Sequence, residues 1–212
     1  CGRERSTQGR LPMKKLGILL SGRGSHFEAI ADNAAAGEIP AEIAIVISNK
    51  PNARGLERAK ERGIPAKCIP SGGLERDEYD RQVVALLKER GVDLVCLAGF
   101  MRLLSAYFVR EYPNRLLNIH PSLLPSFPGL EAQEQAREHG AKISGCTVHF
   151  VDEHLDAGPI IVQAAVPILD DDTDETLSAR ILTEEHRIYT EAINLVLSGK
   201  FRIEDRRVIR TG

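Results

Sequence analysis

The chain has no tryptophan, two methionines and four cysteines in 212 residues. The cysteines, Cys1, Cys68, Cys96 and Cys146, stand far apart, and no two have the close spacing of a zinc knuckle or a dithiol redox motif. They read as reduced thiols. Cys68, Cys96 and Cys146 each fall in an apolar strand-like run, where cysteine packs as a small hydrophobe. No apolar run reaches membrane-spanning length, and Cys1 to Pro12 lack the apolar core of a secretory signal, so the expectation is a cytoplasmic chain with no membrane partner. An excess of positive charge is also missing. A net charge of -2 and a pI near 6.4 exclude a general nucleic-acid binder, which leaves small molecules as the expected partners. There are no internal repeats and no low-complexity tracts.

With 42% hydrophobic residues the chain can bury a full core as one domain. Residues 1–12 are polar and basic and precede Met13, so they read as an upstream extension or a cloning remnant, and the fold is expected to occupy residues 13–212. Strand-like runs at 16–20, 43–47, 66–69 and 94–98 alternate with helical patterns at 25–36, 53–62 and 75–90. That alternation predicts an α/β fold with a doubly wound, mostly parallel sheet and helices on both faces. Ligands of such sheets bind outside the carboxyl ends of the strands.

The first such end is Ser21-Gly22-Arg23-Gly24-Ser25-His26-Phe27-Glu28, a glycine-rich turn opening a helix. Free backbone N–H groups there favour an anion such as a phosphate. Ser25 and Glu28 have the spacing of a capping box. A dinucleotide fingerprint would need glycine in place of Phe27, and a P-loop would need Gly-Lys-Ser/Thr; neither is present.

In the helix at 75–90, Tyr79, Val83, Leu86 and Leu87 form the apolar stripe, while Arg76, Asp80, Arg81 and Lys88 read as mostly solvated. The next strand ends at Gly99-Phe100-Met101-Arg102-Leu103-Leu104, which shapes either a pocket wall or core packing.

The densest chemistry lies in Leu116 to Gly129. Leu116, Leu117 and Ile119 make a short strand, and Pro121, Pro125 and Pro128 end it. Residues two apart on a strand share a side, so Asn118 and His120 are presented together. An amide donor beside an imidazole suits a carbonyl becoming a tetrahedral oxyanion. Farther on, Gly145 to Val151 alternates cleanly, and His149 either looks toward a site or, as expected here, hydrogen-bonds within the fold. Asp152 to Pro159 is an acidic, turn-rich loop. His149, Asp152, His154 and Asp156 match no familiar metal spacing, so no metal is expected; Asp156 is better used to orient His120 and favour its charged form. A strand at 160–166 follows, then a long helix to about Leu197 with acid at its start, and a tail, 201–210, that reads as a peripheral strand of undefined role.

Asn118-Ile119-His120-Pro121-Ser122-Leu123-Leu124-Pro125, Gly145 to Phe150, and Leu155-Asp156-Ala157-Gly158-Pro159, in that order, make the chain from Lys14 to about Leu197 resemble the folate-dependent glycinamide ribonucleotide transformylases. The resemblance implies a purine-biosynthetic transfer of a formyl group from 10-formyltetrahydrofolate, the co-substrate, to the primary amine of glycinamide ribonucleotide. Asn118, His120 and Asp156 fall on the family's catalytic positions. Gly24, Ser25 and His26 fall on its phosphate site and Glu185 on a ribonucleotide contact. Arg76 and Met101, Arg102, Leu103 and Leu104 fall on the folate side, with Asn118. His26 stands where an asparagine is common, and Leu130-Glu131-Ala132-Gln133 lacks histidines found there in some relatives. Relatives with the same triad include a formyltetrahydrofolate hydrolase and a methionyl-tRNA formyltransferase, which usually carry an extra domain for which this chain has no room. A non-enzymatic nucleotide-binding module is a further reading, and a serine hydrolase using Ser122 lacks its Gly-x-Ser-x-Gly elbow. Monomer and homodimer both stay open.

Overall fold

The computed structural model describes residues 12–212. The expected extension at residues 1–12 therefore lies, but for Pro12, outside the described residues. Nine strands form one sheet in the order β3-β2-β1-β4-β5-β6-β7-β9-β8. The first five, β1 (Lys14–Leu20), β2 (Ala41–Ser48), β3 (Ala66–Cys68), β4 (Leu94–Leu97) and β5 (Leu116–His120), are parallel. The near-continuous Val, Ile and Leu runs of β1, β2 and β4 suit strands covered on both faces. After β5 the direction changes: β6 (Ile143–Phe150) runs antiparallel to it, and β7 (Ile160–Pro167) antiparallel to β6. Cys96 and Cys146 are buried free thiols, and Cys68 is a half-buried one.

Two apolar cores flank the sheet. Helices α1 (Ser25–Ala35), α2 (Arg54–Glu61) and α6 (Asp174–Ser198) contribute Phe27, Leu56 and Ile188 to one. Helices α3 (Arg76–Glu89) and α4 (Ala106–Glu111) contribute Tyr79, Val83 and Phe108 to the other. The short α5 (Ala132–Glu138) packs against α6. None of the described helices is long and apolar enough to cross a membrane.

Three expectations are corrected. The capping box at Ser25 does not form, because Gly24 takes the N-cap in a left-handed conformation (φ 81°), Ser25 becomes the first helical residue, and Glu28 turns to pair with Arg58. Asp80 is not solvated: it is buried and accepts the backbone N–H of Ser105 at 2.6 Å, which holds the start of α4. The tail is two strands, β8 (Phe201–Glu204) and β9 (Arg207–Arg210), joined by a tight turn at Asp205 (φ 54°) and docked on β7 at Ile160.

Candidate active site

The order 3-2-1-4-5 places a reversal of strand order between β1 and β4, and a cleft of about 1090 Å³ opens outside their carboxyl ends. Ser21, at the end of β1, ties the rim together. Its backbone N–H donates to Gly99 O at 2.9 Å, its hydroxyl donates to Asn49 Oδ1 at 2.6 Å, and that hydroxyl accepts from Met101 N at 2.8 Å. The loop after β4 is thereby fixed to β1 and β2. Met101 remains largely exposed and Leu103 partly so, Leu104 is buried in the core beneath them, and all three with Arg102 and Arg76 face one end of the cleft. The apolar residues thus serve both as wall and as core.

At the other end lies the glycine-rich turn. Gly24 has no room for a side chain, since a Cβ there would lie 2.8 Å from Gly55 Cα, so the turn packs directly on the start of α2. Ser25 and His26 line the cleft. The His26 ring reaches across to α6, with Nε2 3.3 Å from Glu185 Oε2, and meets the His186 ring edge-on at 5.5 Å. Burial beside His26 pulls the His186 imidazole below its ordinary range.

Between the two ends, β5 delivers Asn118 and His120 as the strand period requires, and both line the cleft. His120 Nδ1 lies 3.4 Å from Asp156 Oδ2, and Nε2 lies 2.8 Å from the carbonyl of Phe127. Both ring nitrogens face oxygen acceptors, a carboxylate on one side and a backbone carbonyl on the other. Asp156 itself has φ 49°, and its Oδ2 accepts the Gly129 N–H at 2.9 Å.

His149 satisfies both readings that the sequence leaves open. It does hydrogen-bond within the fold, donating from Nδ1 to its neighbour's carbonyl, Phe150 O, at 2.9 Å. That fixes the neutral tautomer with Nε2 free to accept, and Nε2 lies 3.3 Å from Asn118 Nδ2 and 3.8 Å from Asp156 Oδ1. Burial lowers its pKa below the ordinary imidazole value. It therefore lines the cleft as a neutral acceptor. The signal that would have found it is register: Asn118 and His149 are direct partners across β5 and β6. Among the described residues, no cluster of three or more His, Cys, Asp or Glu side chains is arranged to hold a metal ion.

A mostly parallel sheet with an amide, an imidazole and a carboxylate converging beyond one strand end is an arrangement suited to acyl-type group transfer. The chain belongs to the formyl transferase family, whose profile matches residues 14–193. It is 42% identical to the phosphoribosylglycinamide formyltransferase of Escherichia coli (strain K12), over 89% of each chain. It is 51% identical to the trifunctional purine biosynthetic protein adenosine-3 of Drosophila melanogaster over 88% of this chain, while spanning only 14% of that longer protein. The crystal structure of glycinamide ribonucleotide transformylase 1 from Symbiobacterium toebii superimposes with a TM-score of 0.92 at 52% identity, over 94% of this chain and 95% of that one.

Proposed function

We propose that the chain transfers the formyl group of 10-formyltetrahydrofolate to the primary amine of glycinamide ribonucleotide, a step of purine biosynthesis. The observation that carries this reading is the convergence of Asn118, His120 and Asp156 in the middle of a cleft with a phosphate-type turn at one end and an apolar wall at the other.

The neutral amine attacks the formyl carbon and the carbonyl oxygen becomes an oxyanion. Asn118 Nδ2 carries two hydrogens; one is directed to His149, and the other is available to the oxyanion. His120 donates from Nε2, the oxyanion replacing the Phe127 carbonyl as acceptor, while Asp156 balances the charge on the ring. The attacking nitrogen loses one proton and the folate N10 gains one as the C–N10 bond breaks, so the transfer needs no external acid. Gly24, Ser25 and His26 receive the ribonucleotide phosphate on backbone N–H groups, and Glu185 takes its ribose. The folate lies along Met101 to Leu104, with Arg76 as charge partner.

The test is an absorbance assay of 10-formyltetrahydrofolate with purified protein, with and without glycinamide ribonucleotide, alongside His120→Ala. Loss of the formyl group only with the ribonucleotide present, and only with His120, supports the reading. Equal loss without the ribonucleotide makes the chain a hydrolase, and no loss in either case leaves a binding module.

A further inference from the structure

We propose that the β8–β9 hairpin is a functional part of the catalytic centre, with Arg206 the positioning residue that holds the Asp156 loop in its working shape. This rests on the reading of Asp156 as a catalytic carboxylate. The starting point is the backbone of that loop. A residue with a side chain at φ 49° is uncommon, and such a conformation persists only where the surroundings over-determine it. The loop's footing on the sheet is firm: Phe150 N donates to Pro159 O at 2.9 Å, and Gly158 lies so close to β6 that a Cβ there would fall 1.8 Å from the Phe150 carbonyl. Its tip is less secured, since Leu155 is exposed and His154 bonds only to Asp152 of the same loop.

The hairpin supplies the missing hold. The Arg206 guanidinium donates from Nη2 to the carbonyl of Ala157, the residue that follows Asp156. That bond crosses 49 positions of sequence and holds the Ala157–Gly158 peptide plane, the second after the catalytic carboxylate. A second contact points the same way: Phe201 of β8 stacks on Phe150 at 5.6 Å, and Phe150 is the residue whose carbonyl sets the His149 tautomer. The hairpin is itself anchored, by pairing of Arg207 with Ile160 at the start of β7 and by Arg210 with Glu191 of α6. Arg206 is thus presented from a fixed base. Arg202, on the same hairpin, pairs with Glu204 and, among the described residues, makes no hydrogen bond to the loop.

Steady-state kinetics with both substrates on the full chain tests this, using Arg206→Ala, Arg206→Lys, the control Arg202→Ala, and Asp156→Asn as a check on the underlying reading. The expected result is a kcat lowered roughly tenfold in Arg206→Ala, the loss of one charge-assisted hydrogen bond, with both KM values within about twofold of the parent. Arg206→Lys and added guanidinium ion should each recover part of the loss, and Arg202→Ala should behave as the parent. A kcat for Arg206→Ala equal to that of Arg202→Ala overturns the proposal, and so does a loss that guanidinium leaves untouched and that tracks a fall in melting temperature. Full turnover by Asp156→Asn would instead remove the catalytic role of Asp156, and the proposal with it; loss there beside a parent-like Arg206→Ala would remove the proposal alone.

Discussion

His149 stands directly across from Asn118 on the antiparallel pair β5 and β6, and its acceptor nitrogen lies 3.3 Å from the Asn118 amide. An imidazole locked in one tautomer by a backbone carbonyl therefore sets the rotation of an amide. His149→Leu keeps volume but removes the acceptor, freeing Asn118 to turn. Its kcat should fall roughly tenfold with little change in either KM, as expected when an interaction used in the transition state loses its orientation.

The same burial has a stability consequence. The folded protein holds His149 below its ordinary value of 6.5, so the unfolded chain binds a proton that the folded one refuses. Stability is full above that value, declines as the pH falls below it, and levels off only where folded His149 takes its proton. His186, also lowered by burial, adds to the same slope. Urea unfolding at a series of pH values should show the decline in the parent and a shallower one in His149→Leu.

Gly158→Ala places a Cβ on the Phe150 carbonyl at a distance no real contact allows, and the obstacle is backbone, which cannot step aside. The loop must lift from β6 and carry Asp156 with it. Turnover should fall by two orders of magnitude or more, roughly the worth of a positioned acid–base group, while far-ultraviolet circular dichroism stays near that of the parent.

Tyr189 separates stability from activity. Its buried hydroxyl donates to Leu97 O at 2.7 Å, with Leu117 O at 3.2 Å, and so clasps β4 and β5 below the cleft. Tyr189→Phe should cost about 1–2 kcal/mol of unfolding free energy by denaturant titration, the penalty for leaving a buried acceptor unpaired, with kcat near that of the parent.

The parts legible in the sequence are those set by local pattern. Leu16 to Leu20 and Leu94 to Leu97 are apolar on both faces and could hardly be anything but covered strands; Asn118 and His120 share a side because two residues is the strand period. The convergence of His120 with Asp156 is a contact between positions that no periodicity links, and the sequence offers it only as an apt pairing of carboxylate with imidazole and through resemblance. The role of His149 depended on the register of β5 against β6, which in turn depends on the reversal of direction after Gly129. Asp80 looked like surface because a charge on a helix usually is, and its use, accepting the N–H of Ser105, belongs to a helix of only six residues that no pattern announced. The capping box failed for a similar reason, since Gly24 is placed by its approach to Gly55 and not by its own neighbours.

Among the described residues the open sheet of nine strands has two unpaired margins, β3, three residues long with Lys67 exposed, and β8, with Arg202 exposed. A bare margin invites another chain to add a strand, and shortness and positive charge both discourage it. The two least conspicuous strands therefore act as guards. A crowded population of these molecules can keep each sheet from continuing into the next, one margin by its shortness and the exposed Lys67, the other by the solvated Arg202–Glu204 pair that stands along it.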